Sequence, residues 1–514
     1  MKKIEIKKAI VSVHNKEKLE SLVEYFIDFN IQVFSTGGTY KFLKKKSKML
    51  KLFKLSELTK FNEILEGRVK TLHPNIFGSI LADKNNTKHR KELLKYGIVK
   101  TDLVVVNLYP FEKTIESNEK DEMLCIENID IGGTSLLRAA AKNFNDTIVL
   151  SSPQQYQEFI KIGRENSNCI DNRKSRSFAV DAFNETAYYD SIISDWLLRR
   201  TNASKFEKKT VALKKIGKLR YGENPHQAAC LYKASEHHFS KISGKELSFN
   251  NINDFELAME LAGQFDKNCC AIIKHGMPCG VAVHKEQDVA YKKALDCDRV
   301  SAFGGIIAFN SKVNEKTAKI LCKLFTELVV APYFSSEAIK ILSQKKNLIL
   351  IKYNKGVRKN KSNIRLKSTQ NFLLIQDEDN RQVSNKDLIV KTKKNPTQRE
   401  YDDLIFAFKV CKFVTSNAIV IARNKATTGI CGGQTSRIDA VKISLNRAKK
   451  DKTTKDVLAS DGFFPFSDAA ELCKKYNISS IIQPGGSKND NKVIKVLDDY
   501  GISMVFTSLR HFKH

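Results

Sequence analysis

The 514-residue chain holds one Trp, nine Pro and eleven Cys, and the cysteines include no CxxC pair. Without that spacing neither a four-thiolate zinc site nor a disulfide framework is expected, and the thiols read as those of a reducing compartment. No stretch approaches the ~18 consecutive apolar residues of a membrane span; the best run covers residues 103–110. Residues 1–8 alternate charge with Ile and lack the apolar core of a signal peptide. These features predict a cytoplasmic protein with no membrane contact. Acid is also scarce: 57 Asp+Glu face 87 Lys+Arg, a net charge of +30. Such a balance invites a nucleic-acid reading. The lysines, however, are spread along the chain in short runs, at 44–46, 345–346 and 449–455, without interleaved aromatics or a recognition motif. A solvated surface that concentrates anionic small molecules is the expectation, with no nucleic-acid partner.

What is present is alternation. Residues 8–13, 31–35, 103–108 and 147–150 read as strands, and 16–29 and 175–200 have helical spacing. The run LVVVNL (103–108), with three successive valines, is typical of a strand buried on both faces. The pattern predicts a parallel α/β sheet over 1–200, closed by a polar, Lys-rich linker at 201–210. Within 211–514 a faint repeat appears. CAIIKHGMPCGVAV (270–283) and NAIVIARNKATTGI (417–430) are each an apolar strand, a turn and a second strand, and each follows a helix. Two similar subdomains, about 211–350 and 395–514, are expected, joined by a polar excursion near 352–394.

Several loops carry candidate chemistry. Ser35-Thr36-Gly37-Gly38-Thr39 lies between a strand and a helix start, where glycines admit an anion and hydroxyls and N–H groups donate to it. Asp130-Ile131-Gly132-Gly133-Thr134 repeats the device, and Gly67-Arg68-Val69-Lys70-Thr71-Leu72-His73-Pro74 adds cations. In the second segment, Arg220-Tyr221-Gly222-Glu223-Asn224-Pro225-His226-Gln227 is too rich in functional side chains for a plain linker. Lys274-His275 follows an apolar strand, at the end of a strand where α/β sites form. A zinc deaminase would need H-x-E and P-C-x-x-C; position 277 is Met and position 282 is Ala, so that metal site is missing.

In order and spacing, STGGT (35–39), GRVKTLHP (67–74), VVNLYPF (105–111) and NIDIGG-x-x-LLRAAAKN (128–143) resemble an inosine-monophosphate (IMP) cyclohydrolase domain. It is one half of a bifunctional purine-synthesis family whose other half is an aminoimidazole-carboxamide ribonucleotide (AICAR) transformylase. RYGENPHQ (220–227), GKELS-x-NNINDFE (244–256), KH-x-x-PCGVA (274–282), SAFGGIIAFN (301–310), Ser416-Asn417, GGQTSR (432–437), SDGFFPF (460–466), QPGGS (483–487) and RHFKH (510–514) resemble that transformylase. The resemblance covers nearly the whole chain. It implies a methylglyoxal-synthase-like N-terminal domain and a transformylase of two cytidine-deaminase-like units without zinc.

By the same resemblance, formyl passes from the co-substrate 10-formyltetrahydrofolate to AICAR, and the product closes to IMP with loss of water. Lys70, Asn107, Tyr109, Asp130 and Lys142 would line the cyclisation centre, Lys142 as proton donor and acceptor and Asp130 orienting the amide. Ser12, Lys16, Thr36, Gly37, Gly38, Thr39, Arg68 and Thr71 would hold the phosphoribosyl group, with Leu108 and Ile131 beside the substrate. In the transformylase His275 would be the base, with Lys274 and Asn417 stabilising the oxyanion. Arg220, Tyr221, Arg437, Phe463 and Arg510 would bind AICAR, and Asp468, Gly485 and Gly486 the folate. No catalytic metal is implied, and the family assembles as a homodimer with shared transformylase sites. Two alternatives stay open: a homologue that retains only the cyclohydrolase, and a basic nucleic-acid binder on an inactive fold. Departures from the family pattern stand at His14, Asn15, Met277, Arg299 and Cys431. A Cys at a position of positive φ would be strained, so a rebuilt loop is expected around Cys431.

Overall fold

A computed structural model describes residues 2–201, 207–233, 239–354, 364–448 and 455–514. Residues 202–206 of the expected linker, 355–363 of the expected excursion and 449–454 of the basic run lie outside the described residues. The chain divides into two units, Met1–Leu213 and Lys214–His514.

The first unit is built on five parallel strands: β1 (Lys8–Val13), β2 (Gln32–Ser35), β3 (Leu52–Lys54), β4 (Leu103–Asn107) and β5 (Ile148–Leu150). Their spatial order is β3-β2-β1-β4-β5. Every residue of β4 is buried, as its β-branched sequence requires. Helices α1 (Leu19–Asp28), α2 (Gly37–Lys46), α3 (Ile131–Lys142) and α4 (Asn172–Leu198) belong to the same unit. Asp130 caps α3 by accepting the Gly133 N–H, and Asp171 caps α4 by accepting that of Lys174. Strand order reverses between β1 and β4, so the crevice outside their carboxyl ends is where such a sheet takes a ligand.

The second unit carries one continuous sheet of twelve strands. The first half contributes β6 (Phe239–Ser243), β7 (Cys269–Lys274), β8 (Met277–Val283), β9 (Ile306–Phe309), β10 (Leu328–Ala331) and β11 (Ile349–Tyr353). Its helices are α5 (Phe249–Ala262), α6 (Gln287–Cys297), α7 (Glu315–Leu321) and α8 (Ser336–Leu342). The second half contributes β12 (Ile389–Val390), β13 (Ile419–Arg423), β14 (Ala426–Cys431), β15 (Asp456–Ser460), β16 (Ile478–Gln483) and β17 (Ser503–Phe506). Its helices are α9 (Gln398–Cys411), α10 (Arg437–Arg447), α11 (Asp468–Lys475) and α12 (Asp490–Asp499).

The sheet runs β6-β11-β10-β9-β7-β8-β14-β13-β15-β16-β17-β12. It reads the same from either end: helix, hairpin, helix, then three strands of which the last two pairings are parallel. The halves meet where β8 and β14 pair antiparallel through Ala282 and Ala426. Ser248 with Asn251 and Thr397 with Glu400 form capping boxes at the equivalent helices α5 and α9. On one face a single apolar core takes side chains from both halves, Phe255, Ile273 and Val281 together with Leu404, Val420 and Ile482. On the other face each half has its own cluster.

The excursion expected to be irregular contains a hairpin, Ile364–Ser368 with Leu373–Asp377, and the edge strand β12. The hairpin's alternation was weak because nearly all of its residues are exposed, so no buried face imposes a period on the sequence. Among the described residues no helix is long and apolar enough to cross a membrane.

Candidate active sites

In the first unit the carboxyl ends of β1, β2 and β4 converge. The Asn107 side chain at the end of β4 accepts the Asn15 N–H and donates to the Asn15 carbonyl, both at 2.8 Å, fixing the loop after β1. Ser12 Oγ and Thr36 Oγ1 are 2.8 Å apart, and Thr39 Oγ1 donates to the Val13 carbonyl while accepting its N–H. Thr39 is therefore occupied in joining α2 to β1. Gly38 faces open space, where a Cβ would meet nothing within 4 Å. Lys16 Nζ donates to the His14 carbonyl at 3.0 Å.

Across the loop, Lys70 Nζ donates to the Tyr109 hydroxyl at 3.2 Å, and the His14 ring stands edge-on to the Tyr109 ring at 5.3 Å. Burial pushes the Asp130 carboxyl up from its ordinary value, against the N–H groups of Gly133 and Tyr109 and the Lys70 ammonium. Burial likewise lowers the His14 imidazole, assisted by Lys16 and opposed by Asp130. A Cβ at Gly133 would lie 2.4 Å from the Asp130 carboxylate, so a larger residue there would displace the cap. Thr71 is next to Gly132 in the same manner. Leu108 is half-buried and Ile131 exposed on either side of this group.

Beside it opens a hollow of about 670 Å³ lined by Thr36, Gly37 and Lys70 together with Tyr40, Lys41, Lys44 and Lys54. The α2 lysines, read from the sequence only as a surface run, line this hollow; their signal was the one-turn spacing of Lys41, Lys44 and Lys45.

One first-unit expectation needs correction. Lys142 ends α3, whose cap is Asp130, and is exposed. A helix of 12 residues spans ~18 Å, so Lys142 and Asp130 cannot serve one reacting atom within this chain. The exposed Arg68 guanidinium pairs with Glu127.

In the second unit a cavity of about 1020 Å³ gathers Asn417, Arg437, Phe463, Asp468, Gly485, Gly486 and Arg510. Gly485 has φ 76°, and a Cβ there would strike the Phe506 ring of the cavity wall at 2.3 Å. The Arg437 guanidinium, expected on the substrate, is engaged within the wall. It donates to Asn417 Oδ1 at 2.6 Å and Ser460 Oγ at 2.8 Å, and pairs with the fully buried Asp461. Asn417, joined to Ser416 by a cis peptide bond, also donates to the Gln434 carbonyl at 2.9 Å. Arg510 lies over the Phe512 ring, 4.6 Å from its centroid.

Lys274, His275, Arg220 and Tyr221 do not line this cavity. His275 and Gly276 are the two residues of the β7–β8 turn, with φ 52° and 73°, a type I′ geometry. His275 is exposed, and Lys274 Nζ donates to the Phe303 carbonyl at 2.7 Å. Arg220 N–H donates to the Leu247 carbonyl, and Tyr221 accepts from Phe249 N–H, so this pair is held at the start of α5. Met277 Sδ accepts the Thr415 N–H at 3.4 Å, joining the hairpin to the segment before Asn417. The chain's last residues approach the same segment: Lys513 O accepts from Ser416 N–H and Lys513 Nζ donates to the Phe413 carbonyl at 3.2 Å. Burial lowers the Lys513 ammonium to about 8.

The rebuilt loop expected at Cys431 is not found. Cys431 is a buried residue of β14 paired with Ile419, and the positive φ falls on Gly433. Among the described residues no group of three or more His, Cys, Asp or Glu is arranged to hold a metal ion.

One unit has a parallel sheet with glycine- and hydroxyl-bearing loops at its switch point, and the other a two-fold repeated sheet with a cavity of about 1020 Å³; each has the build of an α/β enzyme site. Residues 18–135 match the family model of the MGS-like domain and residues 140–447 that of the AICARFT/IMPCHase bienzyme; the chain belongs to this bienzyme family. Its relatives include the bifunctional purine biosynthesis protein PurH of Clostridium botulinum (strain Kyoto / Type A2) and that of Fusobacterium nucleatum subsp. nucleatum. Each is 44% identical over 515 residues, covering 99% of this chain and 100% of the relative. PurH of Thermoanaerobacter sp. (strain X514) is 44% identical over 513 residues with the same coverage. The chain is thus a bifunctional enzyme of purine biosynthesis, an AICAR formyltransferase and IMP cyclohydrolase.

Proposed function

We propose that the two reactions are divided between the two units and that the residues gathered above perform them. The cavity that unites Asn417, Phe463, Asp468, Gly485, Gly486 and Arg510 is the observation that carries this reading. Phe463 and Arg510 suit a flat heterocycle and a phosphate, and the Gly485-Gly486 backbone admits the folate beside Asp468. The amine of AICAR is conjugated to its ring and needs a base as the C–N bond to the formyl carbon forms. His275 takes that proton, and the Lys274 ammonium stabilises the tetrahedral oxyanion. Collapse expels N10 of tetrahydrofolate, which recovers a proton. Asn417 keeps the geometry, and Arg437 holds Asn417.

In the first unit Ser12, Lys16, Thr36, Gly37, Gly38 and Thr71 surround the phosphoribosyl group. The carboxamide nitrogen attacks the formyl carbon, and Lys70 with Tyr109 stabilises charge on the attacked oxygen before it leaves as water. Asp130, pushed toward its neutral form by burial, orients the amide and can give or take a proton.

Because Lys274, His275, Arg220 and Tyr221 lie off the cavity, a second copy completing the transformylase site fits best. An apolar strip on the exposed hairpin, Phe372, Leu373, Leu374 and Ile375, supports a homodimer. The second unit then remains a pair of cytidine-deaminase-like halves working without zinc in a cytoplasmic enzyme.

The test assays formyl transfer and cyclisation separately. Lys274→Ala is expected to abolish only the first and Lys70→Ala only the second. Wild-type activity in both variants, or absence of both activities in folded wild-type protein, overturns the assignment. Light scattering of the intact enzyme is expected to give the mass of a dimer.

A further inference from the structure

The turn that bears His275 is anchored by a residue 21 positions earlier in the chain. The Asp254 carboxylate, in the middle of α5, accepts the N–H groups of both turn residues, His275 at 3.0 Å and Gly276 at 2.6 Å. Asp254 is buried. An unpaired buried carboxylate is costly, so the two N–H groups that a type I′ turn presents outward are its compensation. Helix α5 also carries the Arg220-Tyr221 pair at its start, through the Leu247 carbonyl and the Phe249 N–H. One rigid helix therefore fixes the RY pair at its N-terminus and the His275 turn at its middle.

The duplicated half contains the same device without the chemistry. Asp403 of α9 accepts the N–H groups of Asn424 at 2.9 Å and Lys425 at 2.7 Å, the two residues of the β13–β14 turn. Both turns have positive φ at both positions, and both carboxylates are buried on equivalent helices. The carboxylate clamp is thus a general stabiliser of this hairpin, and in the first half it acquires a second consequence. It sets the direction in which the imidazole leaves the sheet and its distance from groups placed by α5.

We infer that Asp254 is a positioning residue of formyl transfer, acting through the backbone of His275 and touching no substrate. The inference rests on the reading of His275 as base. A misplacement of about 1 Å at a reacting group costs on the order of 100-fold in rate. Asp254→Asn keeps one acceptor but turns an NH₂ toward the other N–H, so the turn must shift.

The experiment uses the full chain and compares Asp254→Asn, Asp403→Asn and His275→Asn. Asp254→Asn is expected to lower kcat of formyl transfer by about 10- to 100-fold, with KM for AICAR nearly unchanged and cyclisation intact. Asp403→Asn is expected to lower the melting temperature similarly and leave formyl-transfer kcat within about 2-fold, since its turn carries no reacting group. Equal kcat losses in the two Asp variants would reduce both to structural roles, and full kcat in Asp254→Asn would remove the inference directly. Full activity in His275→Asn defeats the reading of the base itself, a different outcome from loss in His275→Asn with none in Asp254→Asn. If Asp254→Asn does not fold, Asp254→Glu, which keeps charge and acceptors but pushes the turn outward, carries the same expectation; wild-type kcat there also overturns it.

Discussion

The two halves of the second unit share a backbone and differ in what they leave open. At the hairpin tip, His275-Gly276 of the first half corresponds to Asn424-Lys425 of the second. One residue before, Lys274 Nζ donates to the Phe303 carbonyl, whereas its counterpart Arg423 pairs with the buried Asp456. The register explains this, because the first-half position matching Asp456 is Gly305. The first half therefore keeps a lysine charge facing outward and the second neutralises it.

At the far ends of the strands the openness is reversed. After β16 comes Pro484-Gly485-Gly486, which lines the cavity. The matching segment after β10 is Pro332-Tyr333-Phe334, with side chains where the second half has none. Arg437 at the start of α10 corresponds to Gln287 of α6, which donates to Ser311 Oγ at 2.9 Å. The two copies therefore present different surfaces: one exposes an imidazole beside an ammonium, the other a cavity.

The comparison can be broken most sharply at the tips. His275→Asn removes the imidazole while tolerating φ near 52°. Formyl transfer is expected to fall by ~10²–10⁴, equivalent to ~3–5 kcal/mol of barrier. Lys425→Ala in the other tip should leave kcat unchanged; a comparable loss there would show that both turns carry chemistry.

Where the halves do the same work, matched variants should cost the same. A Cβ on Gly280 would lie 1.9 Å from the Ala294 carbonyl oxygen, and one on Gly429 would lie 2.2 Å from that of Ser444. Each close approach lets a helix sit directly on the hairpin. Gly280→Ala and Gly429→Ala are each expected to destabilise the unit by about 3 kcal/mol or more, read by urea unfolding. A strong effect in one and none in the other would disprove the equivalence.

The tail gives a pH signature. Lys513 titrates at about 8 in the folded chain, below the ordinary value of ~10.4 for an unfolded lysine. Below pH 8 the folded state must hold a buried ammonium that the unfolded chain hydrates. That penalty is relieved as pH rises from about 8 to 10.4, so stability relative to Lys513→Met should increase with pH by up to ~3 kcal/mol. A pH-independent difference between the two proteins would contradict this placement.

The smallest effect is at the cavity. Gly485→Ala should push the Phe506 ring inward and weaken folate binding by about tenfold, ~1.4 kcal/mol. Tyr333→Ala at the matching, exposed position should not alter it.

Much of this was legible because local sequence and burial agree. The valine run 104–106 lies in a strand buried on both faces, and Asp130, at the head of a loop read as opening a helix, caps α3. The duplication was visible in two apolar hairpins. What remained hidden depends on separation in the chain or in space. A motif gives order, and Lys142 follows Asp130 faithfully, yet an unbroken helix carries the two to opposite ends. Arg437 was assigned to AICAR by motif, and nothing near it in sequence revealed Asp461, the buried carboxylate 24 residues on that pairs with it. Asp254 lacked any local signal, since its partners are backbone groups of a turn formed by another segment.

The core shared by both halves has an evolutionary consequence. Because Val281 and Ile273 meet Leu404 and Val420 on a common face, neither copy could now be expressed alone without presenting a broad greasy surface to water. The ancestral module has become inseparable from its twin. On the opposite face each copy keeps a private interior, where a substitution in one leaves its sibling's packing untouched.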